Sequence, residues 1–269
     1  MPYIHIPLIQ LGPVSIQAFG IIAAFAAILG IKVVRCRATE LGLDVCIIDR
    51  LLPWLLVGTA VGAHLVSVAF YYPDRIVEDP LVLLRLWDGI SSFGGIIGGL
   101  IAVFLFFQRL GMKMKHYKQA LLFGAVVSLL IGRFGCATIH DHPGKLTTSP
   151  IAVKGWPTSD TPERTFGFYF DGPRRHDLGL YEFLFLIPVT GILYLLRNYI
   201  PFENFHIALV LLIYTPVRFF LDFLRVNEKR YWGLTPGQYF SVAFCVLAIS
   251  LMSHGLWHLH NRSHARAPT

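Results

Sequence analysis

The chain has 269 residues, of which 55% are hydrophobic and 14% are charged. Soluble domains average about 25% charged residues, so this composition excludes an ordinary soluble domain and indicates a protein of the lipid bilayer. The formal net charge is +7, and the apolar content favours basic loops beside anionic lipid head groups over binding to nucleic acid. We therefore expect membrane lipids, and no nucleic acid, among the partners.

Seven stretches are apolar enough for a spanning helix, which needs roughly 20 mostly apolar residues. In chain order they lie near 14–34, 51–72, 92–110, 117–138, 178–196, 206–224 and 237–257. The sequence predicts an all-α integral membrane protein, a seven-transmembrane-helix bundle formed by a single transmembrane domain, 1–257. A long outer loop between spans four and five, 139–177, and a polar tail, 258–269, complete this prediction.

Lysine and arginine are concentrated in the short loops after spans one, three, five and seven, for example at Arg35, Arg37, Lys113 and Lys115. Cytoplasmic loops carry an excess of these residues. The pattern predicts that the N-terminus lies outside, that the 139–177 loop is periplasmic, and that the tail is cytoplasmic.

Two arginines fall deep within predicted spans, Arg133 and Arg218. An arginine near the bilayer centre costs at least ~2.5 kcal/mol on insertion scales, so such a residue usually faces a cavity and has a partner. Arg218, Asp222 and Arg225 are spaced i, i+4 and i+7 and share one helix face, and Glu182 is a further candidate acid. Guanidinium groups match phosphate oxygens, so the pattern favours a buried phosphate pocket over the alternative of a structural ion pair between helices.

Two further features leave alternatives open. The glycines of SSFGGIIGGL, among them Gly94 and Gly95, suit either close helix packing or close approach of a ligand to the backbone. The four cysteines have a spacing that fits neither a zinc site nor a disulfide framework.

Six stretches, in order along the chain, resemble motifs of the bacterial prolipoprotein diacylglyceryl transferase family: IPLIQLGPVSIQAFGI, RLWDGISSFGG, GRFGCATIHDHPGK, RRHDLGLYE, RFFLDFLR and GLTPGQYFS. The resemblance implies a seven-span bundle in the bacterial inner membrane with an active site open to the outer leaflet. It implies transfer of the diacylglyceryl group of phosphatidylglycerol to the lipobox cysteine of a prolipoprotein signal peptide, with release of glycerol 1-phosphate. It implies no metal and no organic cofactor.

The motif alignment also assigns residues. It places the two essential arginines of the family at Arg133 and Arg218, and its "RF..Ef.R" acid and second arginine at Asp222 and Arg225. The predicted catalytic set is Arg133, Arg218, Asp222, His140, Asp141 and His142. The predicted substrate-binding set is Gly94, Gly95, Cys136, Gly144, Arg175, His176, Tyr181, Glu182 and Arg225.

The chain departs from the family pattern at four positions. The histidine of the family's HGG segment is Phe93, the two signature asparagines are Cys136 and Ile139, and the N-terminal tyrosine is Phe19. A phenylalanine cannot accept the proton of the substrate thiol. The usual proton acceptor is therefore missing, and the chain either rebuilds it or does something else.

The segment HDHPG contains two histidines that are candidates to replace the missing proton acceptor. His140 or His142 is a candidate base, because histidine titrates near neutrality, and the alternative is an ordinary solvated turn. For Cys136 we favour a packing role over covalent catalysis, since the reaction needs only the thiol of the substrate. We expect Arg133 and Arg218 to bind phosphate and Asp222 to orient Arg218 or Arg225.

Two rival functions remain. One is a related transferase that uses the same lipid donor and another acceptor. The other is a non-catalytic lipid-binding or transport protein, although the inverted repeat with broken helices expected of a transporter is not visible in the sequence.

Overall fold

The structure is a computed structural model that describes residues 1–7, 9–11, 14–85, 91–158, 165–226 and 230–264. These residues are mostly helical. The helices are α1 (Ala18–Glu40), α2 (Val45–Val66), α3 (Asp74–Glu78), α4 (Ser92–Arg109), α5 (Lys118–Ile139), α6 (Leu178–Leu195), α7 (Phe205–Leu221) and α8 (Pro236–His264). A π-helical turn extends α2, and short 3₁₀ turns lie at Pro80–Leu84, Met114–His116 and Asp222–Leu224.

Six helical segments of the described chain are long and apolar enough to cross a membrane: Ala18–Glu40, Val45–Tyr71, Lys118–Ile139, Leu178–Leu195, Phe205–Leu224 and Pro236–Asn261. The predicted third span, 92–110, coincides with α4, but the apolar part of this helix, Phe93–Arg109, is shorter than the others. The seven-span count therefore stays a prediction.

Two helices have ends that differ from those of the predicted spans. Residues Val14–Ile16, placed in the first span, form a strand that pairs with Ile9–Leu11, and the helix begins only at Ala18. An apolar run alone does not distinguish a strand from the first turn of a helix. The polar tail predicted from residue 258 continues α8 to His264, because the stretch contains no glycine or proline that would end the helix. Residues 265–269 lie outside the described chain.

The all-α prediction needs a correction, because short strands occur at the start of the chain and within 139–177. Strands β4 (Pro143–Leu146), β5 (Val153–Lys154) and β7 (Arg174–Asp177) form an antiparallel sheet in the order β4-β7-β5. Strand β1 (Tyr3–His5) pairs with β6 (Gly167–Tyr169), and β2 and β3 are the Ile9–Leu11 and Val14–Ile16 pair. The segment predicted as a loop thus contains short paired strands in its described part.

Glycines allow the long helices to pack backbone to backbone. A Cβ built on Gly62 of α2 would lie 2.6 Å from Cα of Gly98 in α4, and one on Gly124 of α5 would lie 2.7 Å from the carbonyl oxygen of Gly30 in α1. Small residues at such crossings are typical of helices packed in a membrane.

The close packing of α2 against α4 leads to a testable prediction. We expect Gly98→Val to force α2 and α4 apart and to destabilise the protein by about 1–3 kcal/mol or more, as overpacking does. The measurement is thermal unfolding of the detergent-solubilised protein. Gly191→Val in α6 is the matched control, because a Cβ at Gly191 meets nothing within 4 Å. Equal losses in the two variants would contradict the packing account.

Candidate active site

A row of alternating arginines and carboxylates crosses the helices. Arg133 of α5 places its Nε 2.9 Å from Oε2 of Glu182 in α6, and Nη1 of Arg218 in α7 lies 3.5 Å from the other oxygen of Glu182. Arg218 also pairs with Asp222, and Arg225 Nε lies 2.9 Å from Oδ1 of Asp222. We call these five residues the arginine row. The structure thus brings together charges that the sequence separates by up to 92 positions, from 133 to 225.

Four of the five residues of the arginine row are buried. Arg133 and Arg218 are each 3% exposed, Glu182 is 1% exposed and Asp222 is fully buried. Buried charges are very costly unless they are paired, and in this part of the row two carboxylates lie against the two guanidinium groups.

Two donors of the row point to an anionic ligand. Among the described residues, neither Nη1 of Arg133 nor Nε of Arg218 has a hydrogen-bond acceptor. Buried polar atoms nearly always have a hydrogen-bond partner, so two charged donors that each lack an acceptor need an explanation. An anion such as a phosphate diester would supply acceptors for both donors.

Hydroxyl groups support the two carboxylates. Tyr214 donates a hydrogen bond of 2.8 Å to Oε2 of Glu182, and Thr235 donates one of 2.6 Å to Oδ2 of Asp222. The sequence reading missed both residues as part of the site. A signal was present for Tyr214, which precedes Arg218 by four residues and so shares its helix face. Thr235 lies in the GLTPGQYFS motif, but nothing in that motif indicated its contact with Asp222.

Phe93 lies where the resemblance implies a histidine, and it contacts the arginine row. The guanidinium carbon of Arg218 lies 5.5 Å from the centre of the Phe93 ring, which stacks on Phe240 at 5.4 Å. This geometry permits a cation–π interaction. The ring can hold Arg218 in place, but it provides no proton acceptor.

Several predicted substrate-binding residues meet at the Arg225 end of the row. Gly144 forms an isolated β-bridge with Arg225, and its carbonyl accepts a hydrogen bond of 3.3 Å from Nη1 of Arg175. His176 lies against Gly144 and forms a hydrogen bond of 2.9 Å with the hydroxyl of Tyr181. The sheet of the 139–177 segment is thus joined directly to the arginine row.

Burial lowers the pKa of His176 from its ordinary value of 6.5. The unfolded chain therefore binds this proton more readily than the folded protein, so folding stability decreases as the pH falls through this range. We expect the melting temperature to fall between neutral and mildly acidic pH, and to fall less in His176→Gln. Thermal unfolding against pH measures this, with His116→Gln, at an exposed position, as the control. Identical pH profiles for wild type and His176→Gln would contradict the prediction.

The geometry argues against His140 as the base. Its Nε2 accepts a hydrogen bond of 3.1 Å from the backbone N–H of Ile4, and its Nδ1 pairs with Asp177. The ring is buried, with the centre of Tyr3 at 4.6 Å and that of Trp156 at 5.6 Å. Because both ring nitrogens are occupied, His140 anchors the N-terminal strand to the 139–177 segment.

Cys136, Asp141 and His142 form a compact cluster. One ligand-type atom from each, the thiol sulfur, a carboxylate oxygen and an imidazole nitrogen, lie within 4.8 Å of one another. His142 Nδ1 also pairs with Asp141. Cys136 is buried, whereas the side chains of Asp141 and His142 are partly exposed. We call these three residues the Cys–Asp–His cluster.

The two predicted glycines face a helix. A Cβ built on Gly94 would lie 2.6 Å from Cβ of Val66, and one on Gly95 would lie 3.3 Å from Cγ2 of Thr59. Both partners belong to α2. This geometry supports the packing alternative for Gly94 and Gly95 and not a direct contact with substrate.

Fold and site together define a multi-pass helical membrane protein with a buried row of arginines and carboxylates. Residues 7–254 match the family model described as prolipoprotein diacylglyceryl transferase. The chain therefore belongs to that family, and it is a membrane transferase of lipoprotein biosynthesis. This confirms the expectation drawn from the six motifs.

Relatives of the same description support the assignment over most of the chain. The chain is 26% identical over 255 residues to the phosphatidylglycerol–prolipoprotein diacylglyceryl transferase of Tolumonas auensis, covering 91% of this chain and 93% of that protein. It is 29% identical over 250 residues to that of Chromohalobacter salexigens, covering 90% and 89%. With that of Thermus thermophilus it shares 34% identity over 152 residues, which are 56% of this chain and 54% of that protein.

Proposed function

We propose that the arginine row binds the phosphate of phosphatidylglycerol while its diacylglyceryl group is transferred to the thiol of a lipobox cysteine in a prolipoprotein. The observation that carries the proposal is the pair of buried guanidinium donors, one on Arg133 and one on Arg218, that have no hydrogen-bond acceptor among the described residues. A phosphate diester has one negative charge, and arginine is the side chain best matched to phosphate oxygens.

The chemistry is a substitution at carbon. The sulfur of the substrate cysteine attacks the carbon of the diacylglyceryl group that is bonded to the phosphate oxygen. The carbon–sulfur bond forms as that carbon–oxygen bond breaks, and glycerol 1-phosphate leaves with the electron pair. Negative charge grows on the leaving phosphate, where the guanidinium groups of Arg133 and Arg218 are already in place, and fixed donors in a dry site stabilise such charge strongly.

Glu182 and Asp222 act as positioning residues. Each carboxylate contacts two arginines of the row, and each also accepts a hydrogen bond from a hydroxyl group. Held in this way, the guanidinium groups do not have to reorganise when the phosphate binds. Pre-organisation of this kind is the main source of electrostatic catalysis.

The proton of the substrate thiol must be removed in this chain without the histidine that the family motif has at the position of Phe93. Phe93 cannot accept it, and the nitrogens of His140 are occupied. Of the predicted catalytic residues, His142 and Asp141 remain beside the row, and they are the part of the site that we assign to thiol activation.

For the membrane arrangement we propose seven spans, with α4 as the third, in the bacterial inner membrane with the N-terminus outside. The excess of lysine and arginine in alternate loops supports this orientation. Arg133 lies late in α5, Glu182 early in α6 and Arg218 late in α7. This placement would put the arginine row in the outer half of the bundle, beneath the 139–177 segment.

Complementation tests the function. We expect the wild-type gene to restore growth to a bacterium depleted of its own transferase, and Arg133→Ala and Arg218→Ala to fail. Arg50→Ala, at an exposed position in α2, is the matched control and should support growth. Membrane levels of each variant are compared by immunoblot.

Failure of wild type, when it is present in the membrane at normal level, would contradict the proposed function. Binding of phosphatidylglycerol by that protein, without any mass gain on a lipobox peptide, would then indicate a non-catalytic lipid-binding protein. Transfer to another thiol compound would indicate the related transferase with a different acceptor.

A further inference from the structure

We propose that a groove between α1 and α6, at the other end of the bundle from the arginine row, binds an anionic phospholipid through its phosphate group. This inference does not depend on the proposed function. The shape of the groove, its basic lining and a buried donor of Arg37 that has no acceptor each support it.

Three helices form the groove, which has a volume of about 300 Å³. Helices α1 and α6 each pack against α5, and the groove lies between them. Leu29, Val33 and Arg37 of α1 line one wall, and their spacing of four residues places them in one stripe of that helix. Phe123 of α5 and Tyr194 of α6 border the groove from the other sides.

The groove is distinct from the arginine row. Phe123, which borders the groove, lies early in α5, whereas Arg133 lies late in the same helix. An α-helix rises about 1.5 Å per residue, so positions 123 and 133 are roughly 15 Å apart along the helix axis. A ligand in the groove therefore occupies a second site, away from the groups that we assign to the transfer reaction.

Basic side chains outnumber acidic ones in the lining. Lys32, Arg37 and Arg197 line the groove together with one acid, Glu40. Oε2 of Glu40 lies 2.6 Å from Nη1 of Arg37, and Oε1 lies 3.8 Å from Nη1 of Arg197, so a single carboxylate faces two guanidinium groups. Basic pockets between membrane helices are suited to the head groups of anionic lipids.

Arg37 provides a buried donor without an acceptor. Its side chain is 5% exposed, and its guanidinium carbon lies 5.0 Å from the centre of the Phe123 ring. Its Nη1 and Nη2 donate to Glu40 and to the carbonyl of Arg197, but among the described residues its Nε has no acceptor. Buried polar atoms nearly always have a partner, and a phosphate oxygen in the groove would supply one.

The helix faces that continue from the groove are apolar and exposed. Phe25, one turn before Leu29 on α1, is 57% exposed, and Ile187, two turns before Tyr194 on α6, is 47% exposed. Side chains at these spacings share a helix face. Acyl chains can lie along these faces while the phosphate lies at the basic end, so the groove suits a phospholipid better than a soluble anion.

The proposed orientation of the chain puts this lipid in the cytoplasmic leaflet. Arg37 lies in the last turn of α1, and Arg197 follows the end of α6. Both ends are cytoplasmic if the N-terminus lies outside. The lipid would then be a structural partner that joins α1 to α6, and not a substrate of the arginine row.

The first test measures binding of cardiolipin, an anionic phospholipid with two phosphates, to the full chain in detergent by native mass spectrometry. Lys32→Gln combined with Arg197→Gln should weaken the binding of one cardiolipin by about 10-fold or more, the loss expected for two basic contacts. Lys32 is exposed and the Arg197 side chain is 46% exposed, so we expect this groove variant to fold.

The matched control is Lys113→Gln combined with Lys115→Gln. These lysines are exposed in the loop between α4 and α5 and do not line the groove. The control variant loses the same charge as the groove variant and should keep the wild-type affinity. Binding of cardiolipin at the arginine row would be common to all three proteins, so it does not affect the comparison.

The second test is thermal unfolding with three probes. Cardiolipin should raise the Tm of wild type and of the control variant, since a ligand of the folded state stabilises it, and should raise that of the groove variant less. Phosphatidylethanolamine has acyl chains but no net charge, and inorganic phosphate has charge but no acyl chains. Neither should give a shift that depends on Lys32 and Arg197.

The outcomes separate the lipid site from its alternatives. Equal cardiolipin affinity in the groove and control variants would overturn the inference and indicate general attraction to basic loops. Stabilisation by inorganic phosphate that is lost in the groove variant would indicate a site for a soluble anion and would also overturn it. Neither test uses transferase activity, so failure of the proposed function would leave both readouts unchanged.

Discussion

Arg218→Ala is expected to lower kcat/KM for diacylglyceryl transfer by at least about 100-fold, the loss typical of one donor removed from a charge-stabilising site. The variant loses the guanidinium that contacts both Glu182 and Asp222 and that offers one of the two free donors to the proposed phosphate ligand. Arg218→Lys keeps the charge without the planar fork, so we expect only partial recovery. Initial rates with phosphatidylglycerol and a lipobox peptide measure the effect.

This experiment needs a control that separates loss of catalysis from loss of folding. Wild type, Arg218→Ala and Arg50→Ala are compared at equal amounts of monodisperse protein, and Arg50→Ala should keep normal rates because its position is exposed. Near-normal kcat/KM in a folded Arg218→Ala protein would remove this arginine from the mechanism.

Glu182→Gln is expected to have the largest effect on stability. Glu182 contacts Arg133 and Arg218 and accepts the hydrogen bond of Tyr214, all within the buried part of the protein. Removing one partner from a buried ion pair costs about 3–5 kcal/mol, because the remaining charge stays buried without compensation. Denaturant unfolding of the solubilised protein measures the change in free energy.

Glu203→Gln is the matched control. Glu203 also pairs with a basic residue, Lys118, but its side chain is 64% exposed. Exposed ion pairs contribute about 0–1 kcal/mol, so this variant should unfold almost as wild type does. Similar unfolding of the two variants would show that the arginine row is not a buried, mutually dependent network.

The sequence was sufficient to predict the helical bundle and the charged residues buried within it. Long apolar runs are a strong signal for spanning helices, and Arg133 and Arg218 stand out because a charge in an apolar run is costly. The spacing of Arg218, Asp222 and Arg225 places them on one side of a helix, and the structure joins all three in the arginine row.

Contacts between distant segments could not be predicted in this way. His140 resembled a candidate base because its partners, Asp177 and the backbone of Ile4, are far away in the chain. The strands of the 139–177 segment were missed for a related reason, since short strands are defined by the segment with which they pair. Thr235 shows the same limit, because its role depends on Asp222 lying against the start of α8.

The Cys–Asp–His cluster shows how local backbone geometry can change the meaning of a sequence. The spacing between Cys136 and His142 fits no common zinc motif. The left-handed residue at His140 reverses the chain and brings the side chains together. A single dihedral angle of this kind leaves no signal in composition or periodicity.

The most direct test of the central claim is transfer by the purified full chain. The protein is incubated in lipid nanodiscs with phosphatidylglycerol and a synthetic lipobox peptide, and the peptide mass and the released glycerol phosphate are measured together. We expect the peptide to gain a diacylglyceryl group, with glycerol 1-phosphate released in equal amount and both signals lost in Arg133→Ala and Arg218→Ala. A folded wild-type protein that yields neither product would contradict the assignment of the arginine row to diacylglyceryl transfer.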